Sequence, residues 1–227
     1  MPWETFLAER FVWQQGEHVT MVGPTGSGKT TLALAILELR QYVLAFGTKP
    51  KDRTMDSLVR SSGWRLIRTW DKMPKPWLYS ALRVVFWPKF TTPDDQPQQA
   101  YEIGQAMRGA FVQGGWCLFV DELWYMDHVL GLKRMIEALW TQGRSIDLSI
   151  VAGTQRPAHV SLLAYDQATH VFFWRDNDER NLTRISGMNG LNARLIRSTV
   201  STLAAHEVLY VNTRTGAMVV TKAPPRR

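Results

Sequence analysis

The run Gly23-Pro24-Thr25-Gly26-Ser27-Gly28-Lys29-Thr30-Thr31 has the spacing of a backbone cradle for a polyphosphate. Its glycines let successive amide N–H groups converge on phosphate oxygens, and the helix that starts there adds the positive end of its dipole. In that arrangement Lys29 reaches the β- and γ-phosphates and the Thr30 hydroxyl is a ligand for Mg²⁺. A second constellation closes an apolar run: Trp116-Cys117-Leu118-Phe119-Val120 ends in Asp121-Glu122. Asp121 is placed to hold Mg²⁺ through its hydration shell, and Glu122 to orient or deprotonate an attacking water. Taken alone the pair reads as a solvated acidic turn; downstream of a phosphate cradle it reads as the Walker B counterpart of a Walker A loop. A kinase must keep water from the γ-phosphate, so a dedicated water-activating acid argues for hydrolysis of ATP.

A third polar end follows. The run 148–152 leads through Gly153 into Thr154-Gln155-Arg156-Pro157. A glutamine at the mouth of a sheet strand can donate to the γ-phosphate or to the lytic water, although a turn glutamine is commoner. Ahead of that strand stands Arg144, whose ordinary explanation is a cation favoured by the dipole at a helix C-terminus.

These groups need strands to carry them to one edge. Apolar, β-branched runs predict buried strands at about 18–22, 42–46, 83–87, 116–120, 148–152 and 171–174. Helical patterns lie between them, at 29–39, 98–112, 129–141 and 178–185. The alternation predicts an α/β fold with a mostly parallel sheet and helices on both faces. Segments 207–212 and 217–221 flank Thr213-Arg214-Thr215-Gly216 and predict a C-terminal β-hairpin turned by glycine. Residues 90–97 predict an exposed loop, 1–16 an N-terminal extension and 222–227 a tail.

The chain has 227 residues, 45% hydrophobic, enough for one core, and is expected to be a single P-loop ATPase domain over 1–227. Its 27 Lys plus Arg against 20 Asp plus Glu give a formal charge of +7, which suits an anionic partner. The single cysteine, Cys117, excludes an intrachain disulfide and paired-thiolate zinc sites, and reads as a buried small hydrophobe. His18, His128, His159, His170 and His206 show no ligand spacing, and no nucleophile-elbow serine occurs. No apolar run approaches the roughly 20 residues of a membrane span, so the expectation is a cytoplasmic protein. Ten tryptophans, Trp87, Trp116 and Trp174 among them, sit mostly in strand contexts that favour core packing over base stacking.

The ordered set GPTGSGKT, WCLFVDE, QGRSIDLSIVAGTQRP and FFWRDNDERNL resembles the HerA/FtsK superfamily of P-loop DNA-translocating ATPases, in its compact viral genome-packaging branch. The resemblance covers about residues 19–216, and its most specific part is Arg144, ten residues ahead of Thr154. It implies a RecA-like (ASCE) core in which the glutamine-bearing strand lies between the P-loop and acidic strands. It further implies ATP and Mg²⁺ as cofactors and a homo-oligomeric ring, usually hexameric, around double-stranded DNA. By position it implies Lys29 and Thr30 on nucleotide and metal, Asp121 and Glu122 as the acidic pair, Gln155 as sensor, and Arg144 as a finger offered in trans. The chain departs from the pattern after Arg144, where Ser145-Ile146-Asp147 stands in place of the family's glycine. In such a motor Lys49, Lys51 and Arg53 are candidates for DNA contact, with Lys72, Lys75 and Lys89 behind them; as single residues they read as solvated charges. Capsid vertex or portal proteins would be partners, in host cytoplasm or virion. The alternatives are a conjugative or chromosomal DNA pump, a nucleotide or metabolite kinase, and an ATP-gated assembly protein.

Overall fold

Every strand that the motifs require is buried on both sides. A computed structural model describes residues 1–61, 63–155, 161, 163–186 and 192–224. Arg156, Pro157 and His159, together with residues 225–227 of the expected tail, lie outside the described residues. Nine strands form one sheet among the described residues: β1 (His18–Val22), β2 (Tyr42–Phe46), β3 (Trp64–Ile67), β4 (Leu82–Phe86), β5 (Cys117–Val120), β6 (Ser149–Thr154), β7 (Ala168–Trp174), β8 (Glu207–Asn212) and β9 (Met218–Lys222). Their spatial order is β3-β4-β2-β5-β6-β1-β7-β8-β9. β3 through β7 in that order run parallel, and β8 and β9 close the sheet as an antiparallel hairpin. The glutamine-bearing strand β6 therefore lies between β1 and β5, as the resemblance implied.

Alternate residues feed two cores. Leu44, Phe46, Leu118 and Val120 point to one face, which α4 (Gln96–Gln113), α5 (Lys133–Gln142), α6 (Leu163–Asp166), α7 (Glu179–Ser186) and α8 (Ala193–Thr202) cover. Val43, Ala45, Cys117 and Phe119 point to the other, beneath α1 (Trp3–Glu9), α2 (Lys29–Leu37) and α3 (Arg53–Arg60). Trp87, Trp116 and Trp174 are buried in these cores. Cys117 is fully buried, and that burial pushes its thiol up to about 12.

Several boundaries differ from the sequence expectation for local reasons. The helix expected over 129–141 starts only at Lys133, because a π-turn, Tyr125–Val129, precedes it. The loop expected over 90–97 is shorter: Pro93–Asp95 is a 3₁₀ turn, and α4 begins at Gln96. There Asp95 accepts from the backbone N–H groups of Thr91 and Thr92, part of a capping box with Thr92. The helix expected over 29–39 ends at Leu37, and the strand expected over 171–174 starts three residues earlier. Unforeseen elements are α1, α3, β3, α6 and α8. The segment expected as an extension holds α1, whose Phe6 packs edge-on to Phe172 and Tyr210. Asp52 caps α3 by accepting from Thr54 N and Met55 N at 3.0 and 3.2 Å.

Candidate functional site

In a parallel sheet the loops after the strands share one edge, and the ends of β1, β5 and β6 meet there. The loop after β1 is tied to β6 by Gly23 N donating to Thr154 O at 3.2 Å. Gly26 and Gly28 adopt φ of 79° and 110°, which L side chains avoid, and Gly28 is the N-cap of α2. The amide N–H groups at the start of α2 thus face the open edge.

Lys29 is buried, and its Nζ turns back to donate to Gly23 O at 2.6 Å and Pro24 O at 2.9 Å. Burial holds this ammonium below its ordinary range, against the raising fields of Asp121 and Glu122. Thr30 Oγ1 donates to Asp121 Oδ1 at 2.7 Å, so the two oxygens proposed for a metal already touch. The hydroxyl of Ser27 is buried without a partner among the described residues, within a loop otherwise built from backbone donors.

Glu122 lies beside this pair. Desolvation pushes its carboxyl up, opposed by the backbone N–H of Trp124, the Lys29 charge and Thr154. Thr154 Oγ1 donates to Glu122 Oε1 at 3.4 Å. Across the cleft, Thr25 Oγ1 donates to Gln155 Oε1 at 2.6 Å, so the glutamine is drawn onto the P-loop itself. Gly153 explains how β5 and β6 come this close at their ends. A Cβ there would lie 2.5 Å from the Asp121 carbonyl oxygen, so only glycine admits the approach.

The cleft over this edge has a volume of about 910 Å³ and is lined by Lys29, Thr30, Asp121 and Gln155. Lys49 and Arg53 stand on its wall, so two of the three leading candidates for DNA contact face the phosphate site. Lys51 is exposed and does not line the cleft, and Lys72, Lys75 and Lys89 are exposed elsewhere.

Arg144 is placed differently. It sits in a 3₁₀ turn, Gly143–Ile146, before β6, packed against Gly16 ahead of β1. That is the opposite edge of the sheet, roughly 20 Å of strand from the P-loop. Asp147 takes the left-handed conformation, φ 55°, that ends the turn, so the role of a glycine is filled by an aspartate.

The sequence reading missed Thr154 as the neighbour of Glu122 and Trp174 as the support beneath the P-loop. A Cβ on Gly23 would meet Trp174 Cβ at 2.7 Å. Both relations cross between strands and leave no short-range signal. Among the described residues no three His, Cys, Asp or Glu side chains form a metal cluster. No helix there is long and apolar enough to cross a membrane.

No family model and no curated protein matches the sequence. Solved structures do. The chain is similar to the genome packaging NTPase B204 from Sulfolobus turreted icosahedral virus 2. In complex with ATP-gammaS that structure gives TM-score 0.66 and 17% identity over 93% of this chain and 98% of that one. In complex with sulfate it gives 0.70 and 17% over 95% and 100%. The chain is also similar to VirB4 of Thermoanaerobacter pseudethanolicus, with TM-score 0.67 and 12% identity over 92% and 89%. At these identities the likeness shows the fold alone.

Proposed function

We propose that this chain is an ATP-hydrolysing motor that moves double-stranded DNA, working as a ring and loading a viral genome into a capsid. The observation that carries the reading is the meeting of Lys29, the Thr30–Asp121 pair, Glu122 and Gln155 at one sheet edge, with β6 between β1 and β5. The genome packaging and VirB4 neighbours support DNA handling in general. Packaging is preferred because the B204 chains match along nearly their whole length.

The residues fit ATP and Mg²⁺. The glycine-rich turn and the start of α2 offer amide donors to phosphate oxygens, and the unpartnered Ser27 hydroxyl adds one more. Lys29 would exchange its two carbonyl acceptors for phosphate oxygens, gaining a charged partner for its buried ammonium. Thr30 and Asp121 supply two hard oxygens, the donor type that would hold Mg²⁺. Held there, Mg²⁺ would supply charge withdrawal from the γ-phosphoryl group.

Glu122 then acts as the group that holds and accepts a proton from water. Its partly desolvated carboxylate has a proton affinity above that of a free glutamate, which suits a base. Thr154 donates to that carboxylate from the end of β6. Gln155, released from Thr25, would move to the γ-phosphate and report its presence to the rest of β6. Host cytoplasm or virion, and a vertex or portal partner, follow from the packaging reading.

The test is the steady-state ATPase rate of the full chain with and without linear duplex DNA, across a salt series. Contacts to phosphates predict stimulation that falls steeply as salt rises. Turnover indifferent to DNA and to salt would overturn the motor reading and favour an ATP-gated assembly protein. Stimulation by DNA without packaging of a capsid would favour a conjugative or chromosomal pump.

A further inference from the structure

We propose that the flank of the cleft formed by Trp3, Ala35 and Pro224 is a nucleobase shelf, a stacking surface that selects purine over pyrimidine nucleotides. The assignment rests on the reading of Lys29 and its loop as a triphosphate site.

The direction of the nucleotide follows from the sheet order. Asp121, Glu122 and Gln155 come from β5 and β6, which lie on one side of β1, so the terminal phosphate must face that side. A triphosphate gripped by the loop then leads its nucleoside toward the other side, where β7, β8 and β9 stand. The α3 wall is on the wrong flank, because α3 packs beside β3 and β4, beyond β5.

On the β7–β9 flank two segments distant in sequence come together. The chain leaving β9 passes the P-loop so closely that a Cβ on Gly28 would lie 3.3 Å from Ala223 Cβ, and Pro224 lines the cleft. The start of α1 is tied to the same strand by Thr221 Oγ1 donating to Met1 O at 3.0 Å. Trp3, the first residue of α1, lines the same cleft as Pro224. Its indole is anchored against Phe6, ring centroids 5.5 Å apart, and the residue as a whole is 8% exposed. Ala35, six residues along α2 from Lys29, lines the cleft with the smallest side chain that α2 offers there.

A rigid indole that is already packed stacks a base with little loss of freedom, and the larger π-surface of a purine gains more from it. A cleft of about 910 Å³ is near the top of the range for small-molecule sites, which leaves room for a nucleoside beyond the phosphates.

The experiment is calorimetric titration of the full-length Trp3→Ala and Trp3→Phe variants with ATP, GTP, UTP and inorganic tripolyphosphate, each with Mg²⁺. Tripolyphosphate has no base, so it reports the loop alone. We expect Trp3→Ala to weaken ATP and GTP about tenfold, to leave tripolyphosphate unchanged and to bring ATP and UTP to similar affinity. Trp3→Phe should retain most of the preference. Unchanged ATP affinity in Trp3→Ala, or an equal loss of ATP and tripolyphosphate, would overturn the shelf. If Trp3→Ala does not fold, Pro224→Gly carries the same selective loss of ATP, and no loss there overturns the proposal. Failure of the underlying site is separate: it would appear as Lys29→Ala binding tripolyphosphate as tightly as the native chain.

Discussion

Thr30 and Asp121 touch through a 2.7 Å hydrogen bond, whereas among the described residues Glu122 meets Thr154 at the longer 3.4 Å and the backbone N–H of Trp124. The proposed role of Glu122 requires it to turn toward water, which that longer contact permits. Glu122→Gln keeps the size and the acceptor for Thr154 but cannot take a proton. We expect it to bind ATP within a few-fold of the native chain and to lower turnover by about 10²–10⁴, the usual worth of a general base; single-turnover hydrolysis beside calorimetric binding checks both. Parallel loss of binding and turnover would give Glu122 a structural role. The P-loop and the acidic pair were legible from residue order because each is a contiguous motif. The Thr25–Gln155 and Thr154–Glu122 contacts were not, since each joins residues from different strands.

The elements that carry motifs were legible for the same reason: β1, β2, β5 and β6 are short, largely apolar runs buried on both sides, and such runs declare themselves. Others were not. β3 offers only Trp64–Ile67 at the sheet edge, with two of its four residues exposed, and α8 is rich in Ser, Thr and Arg, which weakens its helical pattern. The π-turn after Asp121-Glu122 broke the period that would have dated the start of α5. Two predictions belong to this scale. Gly153→Ala must push β6 from the Asp121 carbonyl. We expect a loss of about 1–3 kcal/mol in stability by denaturant unfolding, with a larger proportional loss of turnover; native activity would mean the strand ends can part freely. The second concerns His18, which joins β1 to its neighbours: Nδ1 accepts from Ile150 N at 3.1 Å, and Nε2 donates to Trp140 O at 3.1 Å. Burial lowers its pKa from 6.5 to about 4. The folded state therefore holds it neutral, and that stability is complete above pH 6.5 and lost as pH falls toward 4. Over that window stability should drop by about 3 kcal/mol. His18→Gln, which can keep both hydrogen bonds without titrating, should flatten the slope in urea titrations, and an unchanged slope would move the effect to other groups.

At the scale of the whole molecule, Arg144 and the P-loop occupy opposite edges of one sheet, so no motion short of unfolding lets Arg144 reach its own chain's phosphates. If the arginine acts on ATP, it acts on a neighbour's, and the chain must then assemble with the lower edge of one subunit against the cleft of the next, a heterologous contact that closes into a ring. Its exposure leaves the guanidinium free to be offered, and the Asp147 turn holds the backbone beneath it through Gln15, whose Nε2 donates to Asp147 O at 2.6 Å. Removal of a trans-acting arginine costs about 10³–10⁵ in rate where such a finger operates, so Arg144→Ala alone should be nearly inactive. Mixed with Glu122→Gln subunits, themselves inactive, activity should return. A site with native Glu122 from an Arg144→Ala subunit would meet native Arg144 from its neighbour at about one interface in four under random assembly. The measurement is ATPase rate against mixing ratio, with native mass spectrometry to verify that the two variants share particles. Full activity of Arg144→Ala alone would remove the finger, and mixed particles without rescue would show that Arg144 and Glu122 do not meet across subunits.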